Sequence, residues 1–152
     1  MEQEPRKVEQ SIILEDRMSH KILVVDDDIL VVEALKGLLS SAGYEVKVAT
    51  RGQEALNILN KENFDLLILD VVMPKMTGFD VCCKVRSRDD EMGNVKIIML
   101  TAKTERNVLE VDQKCGCDLY LSKPIDPAKL KGLIKELLEG EKSIDIDPCN
   151  RP

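Results

Sequence analysis

Four apolar runs in this chain lead directly into residues able to do acid, nucleophile or anion-binding chemistry. Lys21-Ile22-Leu23-Val24-Val25 is followed by Asp26-Asp27-Asp28, Leu66 to Leu69 by Asp70, Val95 to Leu100 by Thr101, and Leu119 to Leu121 by Ser122-Lys123-Pro124. An aspartate does not stabilise a buried strand, so Asp70 belongs at the strand mouth, where the chain leaves the sheet and turns at Pro74. Taken singly, each residue has an ordinary explanation: an acidic strand-end cap, an Asp-Asp turn, a surface lysine before proline. The set is different, because every member falls at the same end of a different strand.

Brought together, these groups constrain one another. Two carboxylates about 4 Å apart repel by roughly 4 kcal/mol at an effective dielectric near 20, so three of them need raised pKa values or a cation. A hard divalent ion with oxygen ligands fits, and Mg²⁺ suits a site with few carboxylates, several waters and a phosphate oxygen. Asp70 could then attack a phosphoryl group as a carboxylate nucleophile. Thr101 could donate to one phosphoryl oxygen, and Lys123 could neutralise another.

The intervening stretches supply the elements that must position this chemistry. Val31/Val32, Leu35, Leu38/Leu39 and Ala42 recur at helical spacing, and Gly43 is placed to stop that helix. Tyr44 to Ala49 reads as a second strand. Thr50 with Gln53 reads as a capping box opening a helix to about Lys61. Thr77 caps a third helix with Asp80 in its first turn, and a weaker helix is expected over about 104–114. Asp126-Pro127 starts a fifth, whose buried face is Leu130, Leu133/Ile134 and Leu137/Leu138. Five strands alternating with five helices require a parallel sheet with right-handed crossovers, a doubly wound α/β domain. In such sheets ligands bind beyond the carboxyl ends of the strands.

Composition removes several alternatives. At 152 residues there is chain enough for one domain with a real core. Aromatics are only 3%, so that core must be aliphatic. A net charge of −6, with no basic stripe to offset it, argues against direct nucleic-acid binding. No apolar stretch is long enough for a membrane helix, and the N-terminus does not read as a signal peptide. The five cysteines are scattered, which fits reduced thiols in a cytoplasmic protein better than a disulfide framework. Cys115-Gly116-Cys117 lacks zinc-finger spacing, and His20, the only histidine, lies far from it in sequence. Three parts are expected: a flexible extension over 1–19, the folded domain over 20–140, and a flexible tail over 141–152.

Val24-Val25-Asp26-Asp27-Asp28, Leu69-Asp70-Val71-Val72-Met73-Pro74-Lys75-Met76-Thr77-Gly78, Met99-Leu100-Thr101-Ala102-Lys103 and Tyr120-Leu121-Ser122-Lys123-Pro124 together resemble the receiver domain of two-component response regulators, of the chemotaxis-regulator type. The resemblance covers about residues 21–139, and the D-x-x-M-P-x-M-x-G match around Asp70 is its most specific part. It implies a flavodoxin-like (βα)5 three-layer sandwich with parallel sheet order 2-1-3-4-5. It also implies that Asp70 accepts a phosphoryl group, in a Mg²⁺-dependent reaction, from a sensor histidine kinase or phosphotransfer protein. Asp27, Asp70 and the backbone carbonyl of Val72 would ligate Mg²⁺ directly, with Asp26 holding it through water. Thr101 and Lys123 would contact the phosphoryl group. Tyr120 resembles the family's switch aromatic, moving inward after Thr101 and altering the face of the fourth helix, fifth strand and fifth helix. A half-buried aromatic at a strand edge is the plain alternative for Tyr120.

On this resemblance the protein is a switch that assists only its own phosphorylation and dephosphorylation, not an enzyme acting on other substrates. It would be cytoplasmic, and a monomer or a weak phosphorylation-linked dimer with an unidentified downstream partner. Val72 and Lys103 would flank the path of a hydrolytic water, with apolar Val72 disfavouring it. Cys115-Gly116-Cys117 stands where an Ala-Gly-Ala-like turn is usual, so both thiols are expected to act as small packing residues. Two rivals remain. Asp26-x-Asp28 after the first strand could mark a phosphohydrolase, which turnover of a phosphate ester, lost on changing Asp26, would reveal. A phosphate-independent binding module would keep the fold but leave Asp70 unmodified by acetyl phosphate. Nothing after the last helix reads as an output segment, leaving either a stand-alone regulator or a piece of something longer.

Overall fold

The central strands form where the sequence lacks any polar alternation. In the computed structural model, which describes residues 20–102 and 116–140, β1 (Lys21–Val25) pairs in parallel with β2 (Glu45–Ala49) on one side and β3 (Leu66–Asp70) on the other. β3 pairs with β4 (Lys96–Thr101), and β4 with β5 (Leu119–Ser122), completing the order β2-β1-β3-β4-β5. All five residues of β3 are buried, as a strand covered on both faces requires.

Side chains on successive strand positions enter opposite core layers. Leu23, Val25, Leu67 and Leu69 pack with Ala55, Leu59, Val81 and Val85, from α2 (Gly52–Leu59) and α3 (Gly78–Arg86). Ile22, Val24, Leu66 and Ile68 pack with Val32, Leu35 and Leu39 of α1 (Ile29–Ser41), and with Leu130 and Ile134 of α4 (Pro127–Glu139). The result is the expected three-layer, flavodoxin-like sandwich. α4 is the fifth helix of the sequence pattern; the helix expected over 104–114 and the two terminal segments lie outside the described residues.

Most caps follow the sequence. Thr77 and Asp80 form a reciprocal capping box on α3, Asp126 accepts from Ala128 N at the head of α4, and Gly43 adopts φ +99° just beyond α1. The Thr50 capping box is not formed. α2 starts at Gly52 with Arg51 in the cap position and ends at Leu59, and the Glu54 carboxylate accepts from Thr50 N instead. A short 3₁₀ helix, Glu91–Asn94, precedes β4 and was not foreseen. One cysteine departs from the expectation of uniformly reduced thiols: Cys83 is disulfide-bonded.

Candidate functional site

The crevice lies where β1 and β3, neighbours in the sheet, end side by side, with Val25 in register with Leu69. At this point the strand order reverses, which opens a gap between the flanking connections. Asp26 is fully buried at the end of β1, and its backbone N–H donates to Ala49 O. Its side chain is held at both oxygens: Oδ1 accepts from Asp28 N at 2.9 Å, and Oδ2 accepts from Lys123 Nζ at 2.9 Å. Asp28 is itself occupied as the N-cap of α1, accepting from Leu30 N. Asp27 is exposed.

Asp70 ends β3 and is 6% exposed. The turn after it is shaped by Lys75, whose φ of 66° is left-handed, and it returns so that Gly78 N donates to Val71 O at 2.9 Å. A Cβ on Gly78 would stand 2.3 Å from Asp70 O, so only glycine permits this closeness. The turn therefore presses on the backbone that aims Asp70.

Lys123 extends β5 by one more bond, its N–H donating to Thr101 O at 2.9 Å. Its Nζ lies between the two buried carboxylates, 2.9 Å from Asp26 Oδ2 and 3.0 Å from Asp70 Oδ1. One carboxylate oxygen each from Asp26, Asp27 and Asp70 come within 4.8 Å of one another. Thr101 ends β4, one residue past Leu100, the register partner of Asp70, and its hydroxyl donates to Ala102 O at 3.1 Å. Tyr120 stands opposite Met99 on β5, partly buried against the core layer of α2 and α3. Val72 is on the rim, 59% exposed.

Electrostatics follow from this crowding. Burial, reinforced by the charges of Asp26 and Asp27, pushes Asp70 up to about 6 despite the hydrogen bond from Lys123. Burial alone would lower the Lys123 ammonium, but its bonds to Asp26 and Asp70 outweigh that and hold it above the usual lysine value. The donor set is made of hard carboxylate oxygens gathered within 4.8 Å of one another, a ligand chemistry that fits Mg²⁺ or a similar cation.

Four of the expected site residues thus meet directly: Asp26, Asp27, Asp70 and Lys123. Thr101 and Val72 border them, and Tyr120 faces the core from the same edge strand. Two features escaped the sequence pattern. Ile29 and Leu30, 54% and 75% exposed, begin α1 immediately after the acidic residues, off its buried face. An apolar groove of about 330 Å³, lined by Val31, Ala34, Leu38, Pro124 and Ile125 among others, runs between α1 and the β5–α4 connection and reaches Lys123.

Comparison with known proteins agrees with this architecture. The family model described as the response regulator receiver domain matches residues 22–135. The chain is 39% identical over 128 residues to response regulator MprA of Mycobacterium bovis, covering 84% of this chain and 54% of that protein. It spans about half the length of the curated relatives it matches. Among solved structures, chemotaxis protein CheY4 of Vibrio cholerae superposes with a TM-score of 0.74 at 36% identity, covering 79% of this chain and 99% of that one. The receiver domain of sensor histidine kinase PA1611 from Pseudomonas aeruginosa, which has a magnesium ion coordinated in its active-site cleft, gives 0.73 at 25% identity, covering 80% and 98%. With the sheet order and the matched family model in agreement, this chain belongs to the response regulator receiver domain family of two-component signalling.

Proposed function

We propose that this receiver domain, over residues 20–140, is phosphorylated on Asp70 by a histidine kinase or phosphotransfer protein and acts as a switch for a downstream partner. The observation that carries the reading is the placement of Lys123 Nζ between the Asp26 and Asp70 carboxylates, with Asp27 beside them. An Asp70 oxygen attacks the donor phosphorus, the bond from phosphorus to the donor's imidazole nitrogen breaks, and that nitrogen leaves with its electron pair and takes a proton. Asp26, Asp27, Asp70 and the Val72 carbonyl would hold Mg²⁺, which when bound neutralises charge on the phosphoryl oxygens. Lys123 would pair with a phosphoryl oxygen, and Thr101 would donate to another. Asp70 needs no activation by a base, because the carboxylate is already the nucleophilic form.

Phosphorylation replaces one carboxylate charge by about −1.5 to −2 at the same point, which redistributes the Lys123 ion pairs and draws Thr101 inward. Tyr120, on β5 three residues before Lys123 and opposite Met99 of β4, is the residue through which the change reaches the surface. The exposed Ile29, Leu30 and Val72 around the crevice favour a macromolecular phosphodonor over a small one. The net charge of −6 speaks against direct nucleic-acid contact by this domain. Among the described residues no helix is long and apolar enough to cross a membrane. A cytoplasmic monomer, or a weak dimer formed on phosphorylation, fits these properties. The testing experiment is incubation with acetyl phosphate and Mg²⁺ followed by intact-mass measurement. One phosphoryl group is expected on the wild type and none on Asp70→Asn, with loss of the reaction on chelation. An unmodified, folded wild type would overturn the reading.

A further inference from the structure

Arg86, in the last turn of α3, uses its guanidinium at the pole of the sheet opposite the crevice. Nε donates to Gly116 O at 2.9 Å, Nη1 to Gly93 O at 3.0 Å and to Val95 O at 2.6 Å, and Nη2 to Asp118 Oδ2 at 3.1 Å. One planar fork thus gathers the 3₁₀ helix, the approach to β4 and the approach to β5. Asp118 is the pivot: its Oδ2 also accepts from Ile97 N at 2.8 Å, while its own N–H donates to Ile97 O at 2.8 Å.

This clamp acts on the strand with the weakest specification. β5 has four residues and, among the described residues, lies at the sheet edge and pairs with β4 alone. Its side chains alternate: Leu119 and Leu121 enter the layer of α1 and α4, and Tyr120 faces the other. That alternation forbids a one-residue slip, which would exchange the faces. It does not forbid a two-residue slip, which keeps every apolar side chain on its own face. Such a slip would carry the end of β5 about 6.6 Å along its axis, far beyond the 2.9 and 3.0 Å contacts that Lys123 makes with Asp26 and Asp70. The hydrophobic pattern therefore leaves open the displacement that would empty the site of its ammonium. The polar clamp on Asp118, five positions before Lys123, closes it.

We infer that Arg86 is a positioning residue for Lys123, holding β5 in register from the far pole through Asp118. The inference deepens the reading of Lys123 given above and rests on it for its functional half only. The test uses the full 152-residue chain and two variants, Arg86→Met, which keeps an unbranched stem without the donors, and Asp118→Asn. Amide hydrogen exchange is expected to rise about tenfold or more in β5, including the Lys123 N–H, relative to β1 and β3. Phosphorylation by acetyl phosphate with Mg²⁺ should slow in Arg86→Met. In a Lys123→Ala background the Arg86→Met change should slow it no further, because its route runs through Lys123. Exchange that rises equally in β1, β3 and β5 would mark a merely structural role and overturn the inference. So would unchanged β5 exchange, or losses that multiply in the double variant. Should Arg86→Met fail to fold, Asp118→Asn, which leaves three of the Arg86 contacts, decides by the same readouts. The exchange measurement needs no phosphorylation, so its outcome stands apart from the fate of the Asp70 reading.

Discussion

Lys123 donates to Asp26 at 2.9 Å, joining residues 97 positions apart across the mouth of the sheet. The pair is asymmetric. Asp26 is wholly buried, whereas the Lys123 side chain is 30% exposed. Lys123→Met would leave Asp26 and Asp70 without the cation between them. Removing one partner of a fully buried pair costs about 3–5 kcal/mol; water reaching the exposed side of Lys123 reduces this to about 1–2 kcal/mol. Urea unfolding at constant m-value measures it. A midpoint equal to wild type would show that the ammonium offsets no repulsion.

Asp70 should make the protein less stable as pH rises from about 4 to about 6. Its carboxyl is raised from 3.8 to about 6 in the folded state, so in that window the native state binds a proton that the unfolded state has already released. Stability falls as pH increases through the window, by on the order of 3 kcal/mol in full. The difference curve between wild type and Asp70→Asn in metal-free buffer isolates the effect. Asp70→Asn should be the more stable protein at pH 7, and parallel curves would refute the assignment.

Divalent cation should reverse that penalty. At about ten times its dissociation constant Mg²⁺ would stabilise the fold by about 1.4 kcal/mol. Asp27→Asn, which removes one carboxylate from an exposed position, should abolish most of the gain while leaving the metal-free stability near that of wild type. Thermal melts with and without chelator compare the two. An equal Mg²⁺ effect on both proteins would exclude Asp27 as a ligand.

Gly78→Ala tests how tightly the turn after β3 is closed. The added methyl would meet the Asp70 carbonyl at 2.3 Å, a backbone atom that cannot rotate away. A cost at the upper end of about 1–3 kcal/mol is expected for such overpacking. Because the strained atom belongs to Asp70, phosphorylation should fall by more than Ala substitution at Gly37, where a Cβ meets nothing within 4 Å. Equal behaviour of the two alanine variants would contradict this.

Under the proposed phosphorylation of Asp70, Val72 is expected to lengthen the life of the phosphate. Its side chain is exposed on the rim two residues beyond Asp70 and offers a water no hydrogen bond. Val72→Asn adds one, and a bond worth about 1.4 kcal/mol in the hydrolytic transition state corresponds to about tenfold faster loss of phosphate. The decay of isolated phosphoprotein after removal of the donor gives the rate. Loss no faster than wild type would count against a role for Val72.

What could be read from the chain, and what could not, divides by the reach of the signal. Asp26, Asp70, Thr101 and Lys123 were legible because each follows an apolar run, and topology alone brings the carboxyl ends of parallel strands together. The caps at Thr77 and Asp126 were legible because their partners lie within three residues. Arg86 was not, since three of its four acceptors are backbone carbonyls, which leave no mark on residue type. Thr50 failed as a cap for a local reason: Glu54 satisfies its N–H, and the helix begins later. The disulfide at Cys83 was beyond reach too, because scattered cysteines carry no pairing information.

The reversal of strand order beside Asp70 divides the crevice into unequal halves. Asp26 and Asp70 stand on interior strands, each gripped by neighbours on both sides and covered by both core layers. Lys123 hangs from β5, which among the described residues is an edge strand with a single neighbour, and Thr101 from the strand that joins that edge to the interior. The acidic half is the anvil of the site, and whatever yields when charge is added must yield toward β4 and β5. If Asp70 is phosphorylated as proposed, the direction in which the domain responds is thus set by its sheet rather than by the partner that reads it.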